Sequence, residues 1–241
     1  MKDSLMVEAG SGSGIAACVF DAYGTVFDVN APVRRLTASL GDKAEPLTRL
    51  WRTRQLEYTW LRSLMQTYAD FWQVTGEALD YALAALQIAD PVLRARLMEL
   101  YLAIDPWPDA RPVLESLKAA GLPTAILSNG SPTMLTAAVD TSNFYALLDA
   151  VLSVDAVKTY KPAPQVYQLA CTRFGLAPER IAFVSANGWD AAGAAQFGFT
   201  VFRLNRDGQP EERLPGKSRA VLPDLTALPA ALKAAGWVAE D

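Results

Sequence analysis

Residues 15–25 read Ile-Ala-Ala-Cys-Val-Phe-Asp-Ala-Tyr-Gly-Thr. The first six, 15–20, form a short continuous apolar run that ends abruptly at Asp21. Such a run, bounded by turn residues, predicts a strand buried on both faces of a parallel sheet and closing in a turn. Polar residues at the carboxyl end of such a strand face the place where open parallel sheets bind their ligands.

Downstream, residues 31–104 carry only helical patterns. A long helix is expected over 45–65, where Leu47, Leu50, Trp51, Tyr58, Leu61 and Leu64 recur near helical spacing. Further helices are expected over 77–87 and 91–103, the latter with Pro91 in its first turn. Strand and helix then alternate. Helices are expected over 110–120 (closed by Gly121), 131–139, 163–174 and 189–197, and strands over 124–127, 150–153, 181–185 and 200–203. Residues 207–223 read as loop, and a last helix falls near 227–235. This alternation implies a Rossmann-like α/β core with helices on both faces of a parallel sheet. The helical block interrupts it after the first strand, so residues 15–29 and 106–241 are expected to form the core domain and 30–105 an inserted helical cap domain. Residues 1–14, rich in Gly and Ser near their end, read as a flexible leader rather than a signal peptide.

Composition narrows the chemistry. The net charge of −4 gives no support to a nucleic-acid or membrane surface, and no apolar run approaches transmembrane length. The two cysteines, Cys18 and Cys171, have no metal or redox spacing, and a cytoplasmic protein fits their usage. The chain contains no histidine. That excludes Ser-His-Asp and Cys-His hydrolases, His-ligated metal sites and any histidine-activated water. Proton transfer must then rely on a carboxylate, Lys, Tyr, Cys or water.

The expected strand ends carry polar residues together: Asp21, Tyr23 and Thr25; Ser128 and Asn129; Ser185, Asn187 and Asp190. Lys161 belongs to the same edge. Asp21-Ala22-Tyr23-Gly24-Thr25, Leu127-Ser128-Asn129-Gly130, Tyr160-Lys161-Pro162 and 185–190, Ser-Ala-Asn-Gly-Trp-Asp, resemble the motifs of the haloacid dehalogenase superfamily. Tyr23 and the stretch 51–62 (Trp-Arg-Thr-Arg-Gln-Leu-Glu-Tyr-Thr-Trp-Leu-Arg) resemble its L-2-haloacid dehalogenase branch. The resemblance covers roughly residues 15–206.

The branch assignment has a physical basis. Phosphatases of the superfamily place a second Asp where this chain has Tyr23, and a metal-holding Asp where it has Ala186. A phenol does not replace a carboxylic acid as proton donor at neutral pH. A hard divalent cation also needs several oxygen ligands. The resemblance therefore implies a metal-independent, cofactor-free hydrolase. Its substrate is a short (S)-2-haloalkanoic acid, its products an (R)-2-hydroxyalkanoic acid and a halide ion, and the branch is often homodimeric.

By the same resemblance, Asp21 is the nucleophile that forms an aspartyl ester, and Lys161 pairs with it. Thr25 hydrogen-bonds the Asp21 region. Ser185, Asn187 and Asp190 position and deprotonate the hydrolytic water. Ser128 holds the substrate carboxylate, Arg52 and Asn129 receive the halide, and Tyr167 is a further site tyrosine. Tyr23, Trp51, Phe71 and Trp189 supply an apolar cage that strips water from the nucleophile. Arg49, Arg54 and Arg62 share the long helix with Arg52, and Lys158 lies near Lys161; only the motif match selects between them. Three rivals stand beside this reading: an Mg-dependent phosphohydrolase, a phosphonate-cleaving relative using Lys43, and a binding or scaffold protein that keeps the fold.

Overall fold

A computed structural model describes residues 14–238; the expected leader lies outside the described residues except for Gly14. Six strands form one parallel sheet in the order β3-β2-β1-β4-β5-β6: β1 (Ala17–Phe20), β2 (Thr124–Ser128), β3 (Ala150–Ser153), β4 (Ile181–Ser185), β5 (Thr200–Leu204) and β6 (Ala220–Leu222). The apolar run read at the outset becomes β1, fully buried in the middle of the sheet, with Phe20 in register with Ile126 on one side and Val184 on the other. The chain runs outward from β1 in both directions. The ends of β2, β1 and β4 are thus neighbours, and the strand order reverses at the crevice where a doubly wound sheet binds its ligand.

Between β1 and the rest of the sheet come α1 (Ala31–Arg34), α2 (Thr37–Leu40), α3 (Ala44–Met65), α4 (Phe71–Ala85) and α5 (Pro91–Leu102). The buried stripe of α3 is Ala44, Leu47, Trp51, Gln55 and Thr59, which packs on α4, whereas Leu61 and Leu64 of the expected apolar set are exposed. Two polar side chains therefore occupy its buried face. Helix α4 starts at Phe71, six residues before expectation, because the Asp70 carboxylate accepts from Gln73 N at 2.9 Å and caps it. Asp90 caps α5 in the same way, with Pro91 in its first turn.

The threads into and out of this helical block lie side by side. Phe27 bridges Pro106 in antiparallel fashion, Asp28 N donates to Asp105 O and Trp107 N donates to Val26 O, both at 2.8 Å. Helices α6 (Ala110–Ala119), α7 (Pro132–Thr141), α8 (Pro164–Phe174), α9 (Gly188–Phe197) and α10 (Leu228–Ala234) complete the fold. One expectation fails: 207–223 is not all loop. Residues Ala220–Leu222 pair with β5, Arg203 in register with Val221, as a three-residue edge strand too short to leave a periodic signal. Among the described residues, no helix is long and apolar enough to cross a membrane.

Candidate active site

Asp21 follows β1 directly, and its amide continues the ladder by donating to Val184 O at 2.9 Å. The chain then folds tightly: Val26 N and Phe27 N both return to Ala22 O, and Gly24 sits at φ +95°, where a side chain would be strained. This turn brings Thr25 back beneath the carboxylate. Thr25 Oγ1 donates to Asp21 Oδ2 at 2.9 Å and accepts from Ala186 N at 2.8 Å, so β1 and the loop after β4 are tied through one hydroxyl. Asn187 Nδ2 donates to the same Oδ2 at 2.8 Å and to Tyr23 O at 3.0 Å.

The other oxygen, Asp21 Oδ1, accepts from Lys161 Nζ at 3.1 Å. Lys161 is buried, and its ammonium lies between two carboxylates, reaching Asp190 Oδ2 at 2.8 Å. Its backbone is fixed by Asn129 Oδ1, which accepts from Lys161 N at 3.0 Å. Burial would drive the lysine toward neutrality, but the charges of Asp190 and Asp21 outweigh it and raise its pKa above the ordinary value. Lys158, the alternative cation, is exposed and pairs with Asp155.

Asp190, in the first turn of α9, is fully buried and takes three side-chain donors: Lys161, Ser185 Oγ at 3.1 Å and Tyr167 OH at 2.8 Å. Burial, with Asp21 adding, raises its pKa above the ordinary aspartate value against the opposing pull of Lys161. Tyr167, by the resemblance a further site tyrosine, is held against Asp190. Gly193 makes this packing possible, since a Cβ there would lie 2.8 Å from Tyr167 OH and 2.5 Å from Pro162 Cβ.

Arg52 extends from α3 across to this edge: Nη2 donates to Asn187 Oδ1 at 3.2 Å and Nη1 to Gln55 Oε1 at 2.7 Å. Arg49, Arg54 and Arg62 pair with Glu45, Glu57 and Glu77 instead. Ser128 Oγ accepts from Gly130 N at 3.0 Å and shapes the turn after β2.

The aromatic residues separate into two groups. Tyr23 stacks on Tyr101 (centroids 5.6 Å apart) and packs against Phe71 (5.7 Å), and Tyr101 packs on Trp51 (5.3 Å). Trp189 does not join this group; it meets Trp60 of α3 edge-on at 5.4 Å. The Tyr23 hydroxyl is buried with no hydrogen-bond partner. Leaving such a group unpaired costs about 1–3 kcal/mol, so the arrangement suits a polar ligand that would satisfy it. Burial, reinforced by Tyr101 and Asp21 against Arg52, pushes the Tyr23 pKa well above its ordinary value, so it stays a neutral phenol.

Sequence reading missed Gln55 and Tyr101. A polar residue on the buried stripe of α3, one turn from Arg52, was the available signal for Gln55; nothing in the sequence distinguished Tyr101.

Residues 15–198 match the family model for haloacid dehalogenase-like hydrolases. The chain is 51% identical to (S)-2-haloacid dehalogenase 4A of Burkholderia cepacia, over 82% of this chain and 86% of that protein. It is 49% identical to (S)-2-haloacid dehalogenase 1 of Pseudomonas sp. (strain CBS-3), over 89% and 95%. Its fold matches the L-2-haloacid dehalogenase of Xanthobacter autotrophicus with chloropropionic acid covalently bound, with a TM-score of 0.85, 39% identity, and coverage of 91% and 98%.

Proposed function

Because the chain belongs to the haloacid dehalogenase-like hydrolase family, we propose that it hydrolyses short (S)-2-haloalkanoic acids to (R)-2-hydroxyalkanoic acids through an ester on Asp21. The observation that carries this reading is the Lys161 ammonium seated between Asp21 and Asp190 at 3.1 and 2.8 Å, next to a buried phenol at position 23. Two carboxylates, Lys161 and Arg52 make a group without net charge. A monoanionic substrate adds one charge to it; a phosphate dianion would add two in a low-dielectric pocket, at far greater cost. A halide also leaves as a weak base and needs no proton, so a neutral phenol at 23 is no handicap. The ammonium supplies the positive charge between the carboxylates, and the reading needs no metal ion.

In the first step an Asp21 oxygen attacks C2 from the side opposite the halogen. The C–O bond forms as the C–X bond breaks, the halide departs with the bonding pair and C2 inverts. In the second step water attacks the carboxyl carbon of Asp21. The bond from the acyl carbon to the ester oxygen, originally a carboxylate oxygen of Asp21, breaks, and that oxygen leaves on C2 and takes a proton to become the hydroxyl of the product. Lys161, Thr25 and Asn187 hold Asp21 in place. Ser185, Asn187 and Asp190 position and deprotonate the water, and the raised pKa of Asp190 makes it the better base. Tyr167 holds Asp190. Ser128 and the turn behind it receive the substrate carboxylate, Arg52 and Asn129 the halide. Tyr23 and Phe71 wall the reacting carbon, and Trp189 joins Trp60 in closing the helical block, acting as a cap domain, over the sheet. The exposed Leu61 and Leu64 of α3 suit a homodimer.

Halide release from (S)-2-chloropropionate in the presence of EDTA is the expected result. A single turnover in 18O-labelled water should place the label in Asp21 and leave the product hydroxyl unlabelled. Phosphate release from a phosphomonoester that requires Mg²⁺, without halide release, would overturn the reading.

A further inference from the structure

We infer that Gln55 is a positioning residue that sets the aim of Arg52, and this rests on the reading of Arg52 as the group that receives the halide. Gln55 lies one turn after Arg52 on α3 and is 1% exposed. The two ends of its amide are committed in opposite directions. Thr75 Oγ1 donates its only proton to Phe71 O at 2.6 Å, so it can only accept from Gln55, and Nε2 donates to it at 2.7 Å. With the nitrogen held there, the carbonyl oxygen is left to face Arg52 Nη1 at 2.7 Å. Tyr101 OH lies against both ends, 3.1 Å from Nε2 and 3.3 Å from Oε1, and flanks the amide. The direction of the guanidinium thus traces back to one backbone carbonyl at the start of α4.

The choice of an amide has a chemical consequence. An uncharged acceptor fixes one guanidinium nitrogen without cancelling its charge, which leaves Nη2 and the full positive charge on the Asn187 side, where the halide departs. A carboxylate at 55 would form an ion pair with Arg52 and weaken its pull on a departing anion. A small cavity bordered by Val29, Val33, Thr48 and Trp51 lies against the same guanidinium.

The test compares Gln55→Glu, Thr75→Val and Arg52→Lys, each alone, with Gln55→Glu and Arg52→Lys also combined. The readouts are kcat and KM on (S)-2-chloropropionate, inhibition by bromide, and thermal melting. The ion pair that Gln55→Glu forms with Arg52 should lower kcat and raise the bromide inhibition constant by about tenfold or more, with KM little changed. Thr75→Val, which frees the amide to flip, should move both in the same direction by less. In the Arg52→Lys background, Gln55→Glu should have no further effect on bromide inhibition, because both act through one group. Two results overturn the inference while leaving the halide role of Arg52 intact: bromide inhibition unchanged in Gln55→Glu and Thr75→Val while Arg52→Lys loses it, or fully additive effects in the double variant. If Arg52→Lys itself keeps full turnover and bromide inhibition, the reading of Arg52 fails and the inference falls with it.

Discussion

Lys161 Nζ lies 3.1 Å from Asp21 Oδ1, with both side chains shut off from solvent. One cation there restrains two carboxylates, because Asp190 holds the same ammonium from the other side. Lys161→Met would leave two buried acids facing each other, and one would have to take up a proton to relieve the repulsion. The expected outcome is a loss of at least ~10²-fold in kcat and of about 3–5 kcal/mol in stability, read by halide release and denaturant unfolding. The sign with pH is fixed by the raised pKa of Lys161. Its contribution to stability is complete below the ordinary lysine value of about 10.4 and is lost only as pH climbs through the higher folded-state value. The stability gap between the wild type and the variant should therefore hold through neutral pH and narrow in strong alkali. A gap that closes near neutrality would show an ammonium that is not held by the carboxylates.

The proposed role of Asp190 as base toward water fixes what the acid side of the pH profile should show. Burial raises its pKa, so on lowering the pH it takes up a proton earlier than a free aspartate would, and below that point it cannot accept one from water. The acid limb of kcat should lie above the ordinary aspartate value of about 3.9. The Tyr167 hydroxyl favours the charged form. Tyr167→Phe should therefore shift the limb to higher pH and cost about 1 kcal/mol of stability. Asp190→Asn should abolish the limb along with most of the turnover. A limb that stays in place in Tyr167→Phe would separate this tyrosine from the titrating group.

Thr25 ties Asp21 to Ala186 through one hydroxyl. Thr25→Val strips a donor from Asp21 and leaves Ala186 N, which donates to Thr25 Oγ1, without its acceptor. A loss of about 1–3 kcal/mol in stability with a fall in kcat is expected, and Thr25→Ser should recover most of both. Equal damage in the serine and valine variants would assign the role to the methyl group.

Gly193→Ala should be harmful well beyond its single added carbon. The new methyl would meet Pro162 at 2.5 Å and the Tyr167 hydroxyl at 2.8 Å, pushing α9 and Asp190 away from Lys161. Overpacking of this kind costs about 1–3 kcal/mol, and the acid limb of kcat should move with it. An alanine variant with wild-type melting and pH profile would mean that α9 gives way without moving Asp190.

The site was more legible than its surroundings. Asp21 and Thr25 follow β1, Lys161 precedes α8, and Asn187 and Asp190 open α9; each lies in a short segment whose spacing survives as a sequence motif, and the structure joins them by hydrogen bonds. Arg52 could be picked out only through its flanking stretch, because four arginines share α3 and pattern alone does not rank them. Gln55 and Tyr101 depend on the packing of α3 against α4 and α5, which no local signal encodes. Tyr167 was read near Lys161 in sequence, but its partner, Asp190, lies 23 residues away and becomes visible only once α8 and α9 pack together. The sheet was legible from its apolar runs except for Ala220–Leu222, whose three residues carry too little pattern to stand out from a loop.

The bridge between Phe27 and Pro106 bears on how this molecule can be taken apart. The polypeptide exits the sheet and returns to it through one doorway, so everything from α1 to α5 hangs from two adjacent anchor points. Excising that stretch and splicing the anchors with a tight turn would leave all six strands and their hydrogen-bond ladder contiguous. That pair of threads is therefore the place at which the stretch from α1 to α5 would be exchanged for its counterpart in a relative.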